Sequence, residues 1–244
     1  MSKLMKALSM TALMSASSLA VCGPLVTAGG TAATPTTYEI TIRKVEFKRS
    51  DSSYYTFFEG ASTFDLGSSN VASGQTVGAF AAGNSLEPGT SYSAIRLTVN
   101  SSFSMAGEVA SAGGAQPCRT GGAASGTAQV LGGVTMVTAN ATGGVGSVQT
   151  VAAPTDSGGT TVATALAAAG MEDLGGQYRM EVPLLLSVPA DDTVPPALQI
   201  DFDAANALEF LTTGVGTCVV MPLPPVISVT TPSGTTTFDP ASSL

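Results

Sequence analysis

Four aspartates in the last quarter of the chain are the residues whose type and spacing point most directly to ligand chemistry. They are Asp191, Asp192, Asp201 and Asp203. Side chains two positions apart on a strand share a face, so Asp201 and Asp203 could both offer carboxylate oxygens to calcium. The alternative is that these two form the polar, solvated half of an amphipathic strand. Calcium is the one cofactor that these residues indicate.

Catalysis is constrained by what the chain lacks, since it contains no histidine and no tryptophan. Histidine is the commonest general base and a frequent zinc ligand, so Ser-His and Cys-His catalysis are excluded. A hydrolase built on paired carboxylates has no motif behind it. The aromatic residues Tyr54, Tyr55, Phe57 and Phe58 could stack on sugars or belong to the core. We therefore expect a protein that is not an enzyme.

The N-terminal residues 1–28 predict a secretory signal peptide. Lys3 and Lys6 precede an apolar run that is too short and too interrupted for a convincing membrane span. Small residues allow cleavage after Ala20 or after Ala28, and we prefer Ala28. An alternative makes Cys22 the lipidated first residue of a lipoprotein, although Val21 stands where a lipobox normally has a smaller residue. In that case the protein is anchored to the outer membrane rather than released.

Cysteine parity supports the cut after Ala28, because it discards Cys22 and leaves Cys118 and Cys218. Two thiols in an oxidising compartment are expected to form a disulfide bond. Closing a loop of ~100 residues would stabilise the fold by up to ~4.7 kcal/mol in the chain-entropy model. The sequence therefore predicts a structural Cys118–Cys218 bond.

Charge is scarce and unevenly distributed. The chain has nine basic and seventeen acidic residues, and its formal net charge is −8. This balance argues against nucleic acid as a partner, because such binding needs a basic surface. Four of the basic residues fall within seven positions: Arg43, Lys44, Lys48 and Arg49. They could mark a solvated strand edge, or a patch that docks on acidic residues of another copy.

The stretch 86–99 indicates the fold class. Its residues Ile95, Leu97 and Val99 alternate with Arg96 and Thr98, the period-two pattern of a half-buried antiparallel strand. Apolar residues alternate in a further strand over 38–49, where the parity changes at Arg43-Lys44 and predicts a β-bulge. We expect an all-β antiparallel sandwich with at most one or two short helices, near 160–171 and 204–211.

Composition divides the chain into parts. A flexible tail of small residues is expected over 29–36, a single β-sandwich domain over 37–230 and a C-terminal tail over 231–244. Within the domain, 106–176 is rich in Gly and Ala and predicts an insertion, either ordered hairpins or a mobile loop. The regular strand pattern resumes after it.

Several of these segments together resemble domain of unknown function 4382, which is found in exported bacterial proteins and lipoproteins. The resemblance rests on 38–47, Phe64-Asp65-Leu66, 86–97, 198–204 and 222–229. It implies a prealbumin-like or immunoglobulin-like β-sandwich on the cell envelope, with no established activity. The weak lipobox and the 106–176 insertion depart from the pattern.

Together these observations predict an exported, non-catalytic structural protein of the cell surface or extracellular space. Its expected partners are other copies of itself or cell-surface components, and filaments could arise if the 29–36 tail adds as a strand to a neighbour's sheet. A membrane is a partner only if Cys22 is lipidated. The alternative function is a surface module that binds glycans or calcium.

Overall fold

The computed structural model describes residues 30–67, 86–112, 116–123, 125–131, 134–156, 161–168, 170–190 and 198–239. Antiparallel strands dominate this part of the chain, so the all-β prediction is confirmed. The strands are β1 Thr31–Ala33, β2 Thr37–Arg49, β3 Tyr54–Asp65, β4 Ser91–Asn100, β5 Ser102–Ala106, β6 Glu108–Ala112, β7 Gln116–Arg119, β8 Ala128–Leu131, β9 Val134–Ala139, β10 Gln149–Ala152, β11 Thr155–Asp156, β12 Met171–Asp173, β13 Gln177–Ser187, β14 Gln199–Asp203, β15 Leu208–Gly214, β16 Thr217–Pro222, β17 Val226–Thr231 and β18 Gly234–Phe238.

The larger sheet has seven strands in the order β10-β5-β2-β4-β13-β12, with β3 also paired to β2. β4 lies between β2 and β13, and Ile95, Leu97 and Val99 point into the core as the alternation predicts. The predicted bulge is confirmed, because the register of β2 against both neighbours shifts between Ile42 and Lys44. This shift keeps apolar residues of β2 inward on both sides of the bulge.

The second large sheet has six strands in the order β1-β15-β16-β9-β11, with β8 also paired to β9. Smaller sheets are formed by β14-β17-β18 and by β6-β7. A single hydrophobic cluster includes buried residues of both large sheets, among them Phe47 and Leu97 from one and Phe210 and Val219 from the other. The Tyr38 hydroxyl donates a hydrogen bond to the Leu223 carbonyl at 3.0 Å, inside this core. The two faces therefore close over each other as a sandwich.

The predicted tails and insertion need correction. Within the segment predicted as a flexible tail, Thr31–Ala33 forms strand β1 on the edge of β15. The predicted C-terminal tail contains β18, Gly234–Phe238, which pairs with β17. The part of 106–176 that the structure describes contains short antiparallel strands, and β9, β10 and β12 from it pair with β16, β5 and β13. Gly- and Ala-rich sequence is thus part of both main sheets.

One of the two predicted helices is present. The structure has α1 at Thr161–Ala168, followed by Gly170, whose φ of 67° and bond to the Ala167 carbonyl are typical of a helix C-terminus. The prediction of a helix over 204–211 is wrong, because Leu208–Gly214 is strand β15. No helix among the described residues is long and apolar enough to span a membrane.

Candidate functional site

Three of the four basic residues of β2, Arg43, Lys44 and Lys48, lie on the outer face of the larger sheet, whereas Arg49 lies beside the buried Tyr92. The strand-edge interpretation is wrong, because β2 pairs with β3 along one side and with β4 along the other. The strand register places alternating charges in rows across this outer face. One row contains Glu59, Lys44, Thr98, Arg179 and Glu172, and the next contains Thr56, Glu46, Arg96 and Glu181. Opposite charges on neighbouring strands stabilise the sheet.

The pair Glu46–Arg96 lies at the centre of this charged face. Glu46 Oε2 accepts a hydrogen bond from Arg96 Nε at 2.9 Å and lies 2.8 Å from Arg96 Nη2. Lys44 Nζ lies 3.1 Å from the other carboxylate oxygen. Glu46 is buried at 5% exposure, so its charge depends on these partners rather than on water. The Arg96 guanidinium also stacks 3.4 Å above the ring centroid of Tyr54.

A second carboxylate, Glu181, links three strands beside this pair. It accepts hydrogen bonds from the Lys48 ammonium, at 2.8 Å, and from the Tyr54 hydroxyl. Partial burial alone would raise the pKa of Glu181, but the hydrogen bonds from Lys48 and Tyr54 outweigh it and hold that pKa below its ordinary value. The same bond raises the pKa of Lys48. Both groups are therefore charged at neutral pH.

Arg49, the last basic residue of β2, belongs to a separate cluster. Its guanidinium donates two hydrogen bonds to Glu87, at 2.7 and 2.8 Å. The Glu87 carboxylate also accepts a bond from the Tyr92 hydroxyl at 3.3 Å, and Arg49 holds the pKa of Glu87 below its ordinary value. The cluster ties the turn before β4 to the end of β2, so its role is structural.

The bulge in β2 places Arg43 and Lys44 side by side on the outer face instead of on opposite faces. Both side chains line a cleft of about 460 Å³ that extends over β4 and β13. A neighbouring cleft of about 690 Å³ lies beside Tyr54 and Glu181 and reaches the C-terminal end of α1. Arg96 and Arg179 border both clefts. The outer face therefore offers two polar depressions large enough for a small ligand.

The aspartates proposed as calcium ligands fall into two groups. Asp191 and Asp192 lie outside the described residues, as does Cys22. Asp201 and Asp203 are in β14; Asp201 accepts hydrogen bonds from the Gln199 amide at 2.8 and 3.0 Å, and Asp203 accepts one from the Ala205 backbone N–H at 2.8 Å. Within the described ranges, no three residues of metal-binding type lie close enough to hold an ion.

The Cys118–Cys218 disulfide is present and joins β7 to β16, with a Cα–Cα distance of 6.1 Å. It closes a segment of 100 residues. Cys118 and Cys218 are both buried. The bond attaches the β6-β7 hairpin to the second large sheet.

The aromatic residues of β3 are mostly core residues rather than an open stacking surface. Tyr55, Phe57 and Phe58 pack against the hydrophobic cluster. Tyr54 is the exception, since its ring lies beneath Arg96 and its hydroxyl contacts Glu181. A sugar would have to displace Arg96 to stack on that face of Tyr54.

The edge of the second sheet is a further candidate for interaction. β1 pairs with β15 through three registered residues, with Ala32 opposite Glu209 and Ala33 opposite Leu208. Ala33 is buried, and β15 contributes the fully buried Leu208 and Phe210 beneath it. β1 is the first described element of the chain, so this edge is closed by the N-terminal segment.

Comparison of this chain with protein-family models, with curated proteins and with solved structures finds no match. The resemblance to domain of unknown function 4382 therefore stays a prediction.

Proposed function

We propose that this chain is an exported, non-catalytic structural protein of the cell surface or extracellular space, whose copies associate by exchanging strand β1. The single observation that carries the proposal is that the predicted N-terminal tail forms a strand on the edge of β15. The leader predicted over 1–28 and the Cys118–Cys218 bond support export. Lipidation at Cys22 would tether the same protein to the outer membrane.

The segment between β1 and β2 provides the hinge that exchange requires. Thr34, Pro35 and Thr36 separate the two strands, and β2 belongs to the other large sheet. Proline fixes its own φ and biases the preceding residue towards extended conformations, so the linker favours a straight exit from the domain. A straightened hinge would carry β1 away from its own β15 and towards another copy.

The β1–β15 contact is small, and this favours exchange. It consists of three register pairs, one buried alanine side chain and flanking bonds such as the one from the Asn206 N–H to Thr34 Oγ1 at 3.2 Å. Opening exposes backbone N–H and C=O groups on the edge of β15, which is a template for another strand. The same contacts re-form when β1 comes from a neighbour, so closed and exchanged states differ little in contact energy. Repetition of a contact that does not close builds a filament.

Cysteine pairing between two single variants tests the exchange directly. Ala32 and Glu209 are register partners. Residues opposite each other on antiparallel strands have Cα atoms about 4.5–5.5 Å apart, within the range that a disulfide bridges. Purified Ala32→Cys is mixed with Glu209→Cys, the mixture is oxidised, and covalent dimers are measured on a non-reducing gel. Exchange predicts a dimer that contains one copy of each variant.

In the matched control, Ala32→Cys is mixed with Val215→Cys instead of Glu209→Cys. Val215 is fully exposed in the β15–β16 turn. Equal dimer yields with both partners would show random collision and overturn the proposal.

A second experiment leaves Glu209 unchanged, because Glu209 is buried and its substitution could disturb the fold. Removal of residues 29–33 should convert assemblies of the mature chain into monomers by sedimentation velocity and electron microscopy, whereas removal of 240–244 should not. An intact mature chain that stays monomeric at every concentration would also refute the proposal.

A further inference from the structure

The bulge in β2 creates a local surplus of positive charge in an otherwise acidic protein. The 460 Å³ cleft is lined by four basic side chains, Arg43, Lys44, Arg96 and Arg179, and by two carboxylates, those of Glu46 and Glu59. The neighbouring 690 Å³ cleft has the opposite balance, with two basic side chains and three carboxylates. An anion is therefore favoured in the cleft at the bulge and disfavoured in the neighbouring cleft.

Arg43 is the basic residue of this cleft that remains available to a ligand. Lys44 and Arg96 share Glu46, and Arg179 pairs with Glu172. Arg43 forms no ion pair with any carboxylate in the described part of the chain. Arg43 is half-buried, and the bulge places it on the same face of the sheet as Lys44.

The other lining groups suit a sugar ring. Thr98 supplies a hydroxyl, Gln177 an amide that both donates and accepts hydrogen bonds, and Leu174 an apolar side chain at the rim. The volume falls within the range of pockets that bind small ligands. A planar guanidinium pairs best with a planar carboxylate through two parallel hydrogen bonds. We propose that this cleft binds the carboxylate of a uronic acid unit in an acidic polysaccharide, with Arg43 as the carboxylate ligand.

Calorimetric titration of the mature full-length chain tests this proposal. The probe is tetragalacturonate, and the comparison ligand is cellotetraose, which has sugar rings but no carboxylate. We expect saturable binding of tetragalacturonate and none of cellotetraose. The affinity should fall as NaCl is raised from 50 to 500 mM, because salt screens an exposed charge pair. Equal binding of both sugars, or no binding of tetragalacturonate, would overturn the proposal.

Substitution of Arg43 assigns the binding to this cleft. Arg43→Gln removes the cation without breaking an ion pair among the described residues, so the fold should be retained. We expect its Kd for tetragalacturonate to rise about tenfold or more, as loss of a charge-assisted hydrogen bond implies. Arg119→Gln makes the same change of charge in β7, outside the cleft, and should leave the Kd unchanged. Equal effects of the two variants would refute the site.

Two further arms separate this ligand from other anions and from self-association. Dextran sulfate carries more charge but no carboxylate, so binding as tight as that of a carboxylated polymer of similar length would overturn the carboxylate assignment. An aspartate-rich peptide that competed equally with tetragalacturonate would point to protein segments and overturn the sugar assignment. The chain lacking residues 29–33 keeps the cleft, so it should still bind sugar. Loss of strand exchange and loss of sugar binding are thus separately detectable.

Discussion

Removal of the Glu46 charge should destabilise the fold more than removal of any exposed carboxylate of the same sheet. Glu46→Gln keeps the shape but leaves Arg96 and Lys44 facing each other without the carboxylate that now lies 2.8 and 3.1 Å from them. The side chains of Glu46 and Arg96 are only 7% and 18% exposed, so water replaces the lost partner poorly. Breaking a buried pair costs about 3–5 kcal/mol, and we expect a loss of about 3 kcal/mol here because Lys44 retains Glu59.

A double-mutant cycle with Arg96→Met isolates the interaction. Arg96→Met alone should cost about 2 kcal/mol, since Glu46 keeps Lys44, and the double variant should cost about 2 kcal/mol less than the sum of the single variants. Equilibrium urea unfolding measures each free energy, with the slope m compared between variants. The control pair is Glu172–Arg179, which is more exposed and should be worth less than about 1 kcal/mol. Additive effects at Glu46 and Arg96, within about 0.5 kcal/mol, would refute the network.

Further predictions concern the disulfide, the stability of the fold at low pH and the effect of salt on assembly. Replacement of Cys118 and Cys218 together by Ala should lower the free energy of unfolding by up to ~4.7 kcal/mol, measured by urea unfolding, and an unchanged value would contradict a structural role. The folded-state pKa of Glu181 lies below its ordinary value, so its bonds with Lys48 and Tyr54 stabilise the protein above that ordinary value and are lost as pH falls through the folded pKa. Glu181→Gln should therefore flatten the acid side of a melting-temperature profile between pH 5 and pH 3, and an unchanged profile would refute this. If strand exchange drives assembly of like-charged copies, higher NaCl should increase the assembled fraction in sedimentation, whereas docking of a basic patch on an acidic one requires a decrease.

The alternation of apolar and polar residues predicted those strands that bury one face. The alternation around Ile95 and Leu97 predicted β4, and the parity change at Arg43-Lys44 predicted the bulge. In each case a side chain must point inward every second residue, so the sequence itself records which face is buried. Cysteine parity likewise identified the disulfide, because few alternatives remained.

Tertiary pairing overrode local preference elsewhere. The run from Ala204 contains good helix formers, yet Asn206 adopts a φ of 58° in a turn and Leu208 and Phe210 then point into the core from β15. Pairing with β1 and β16 compensates for the lost helix propensity. The same pairing explains the N-terminal segment, whose small residues give no strand signal of their own. This segment forms a strand because it pairs with the edge of β15.

The sequence predicted the basic residues of the charged face but not their acidic partners. Four basic residues of β2 fall within seven positions of the sequence, but the acid that pairs with Lys48 is Glu181, 133 positions away. Such pairing follows from strand order, which no periodicity in the sequence specifies. Without the bulge, Arg43 and Lys44 would point to opposite faces of the sheet, so only the register shift brings both cations to one face.

These placements bear on how copies of the protein could meet. Had the basic residues of β2 been free, the acidic remainder of another copy would have been an obvious partner. Lys44, Lys48 and Arg49 instead pair with carboxylates of their own chain, so little cationic surface is left to attract a second copy. The excess of acidic residues makes copies repel each other at long range. An attraction strong enough to join them must therefore be short-ranged, and a strand edge that β1 covers in each copy supplies backbone hydrogen bonds and a buried alanine at that distance.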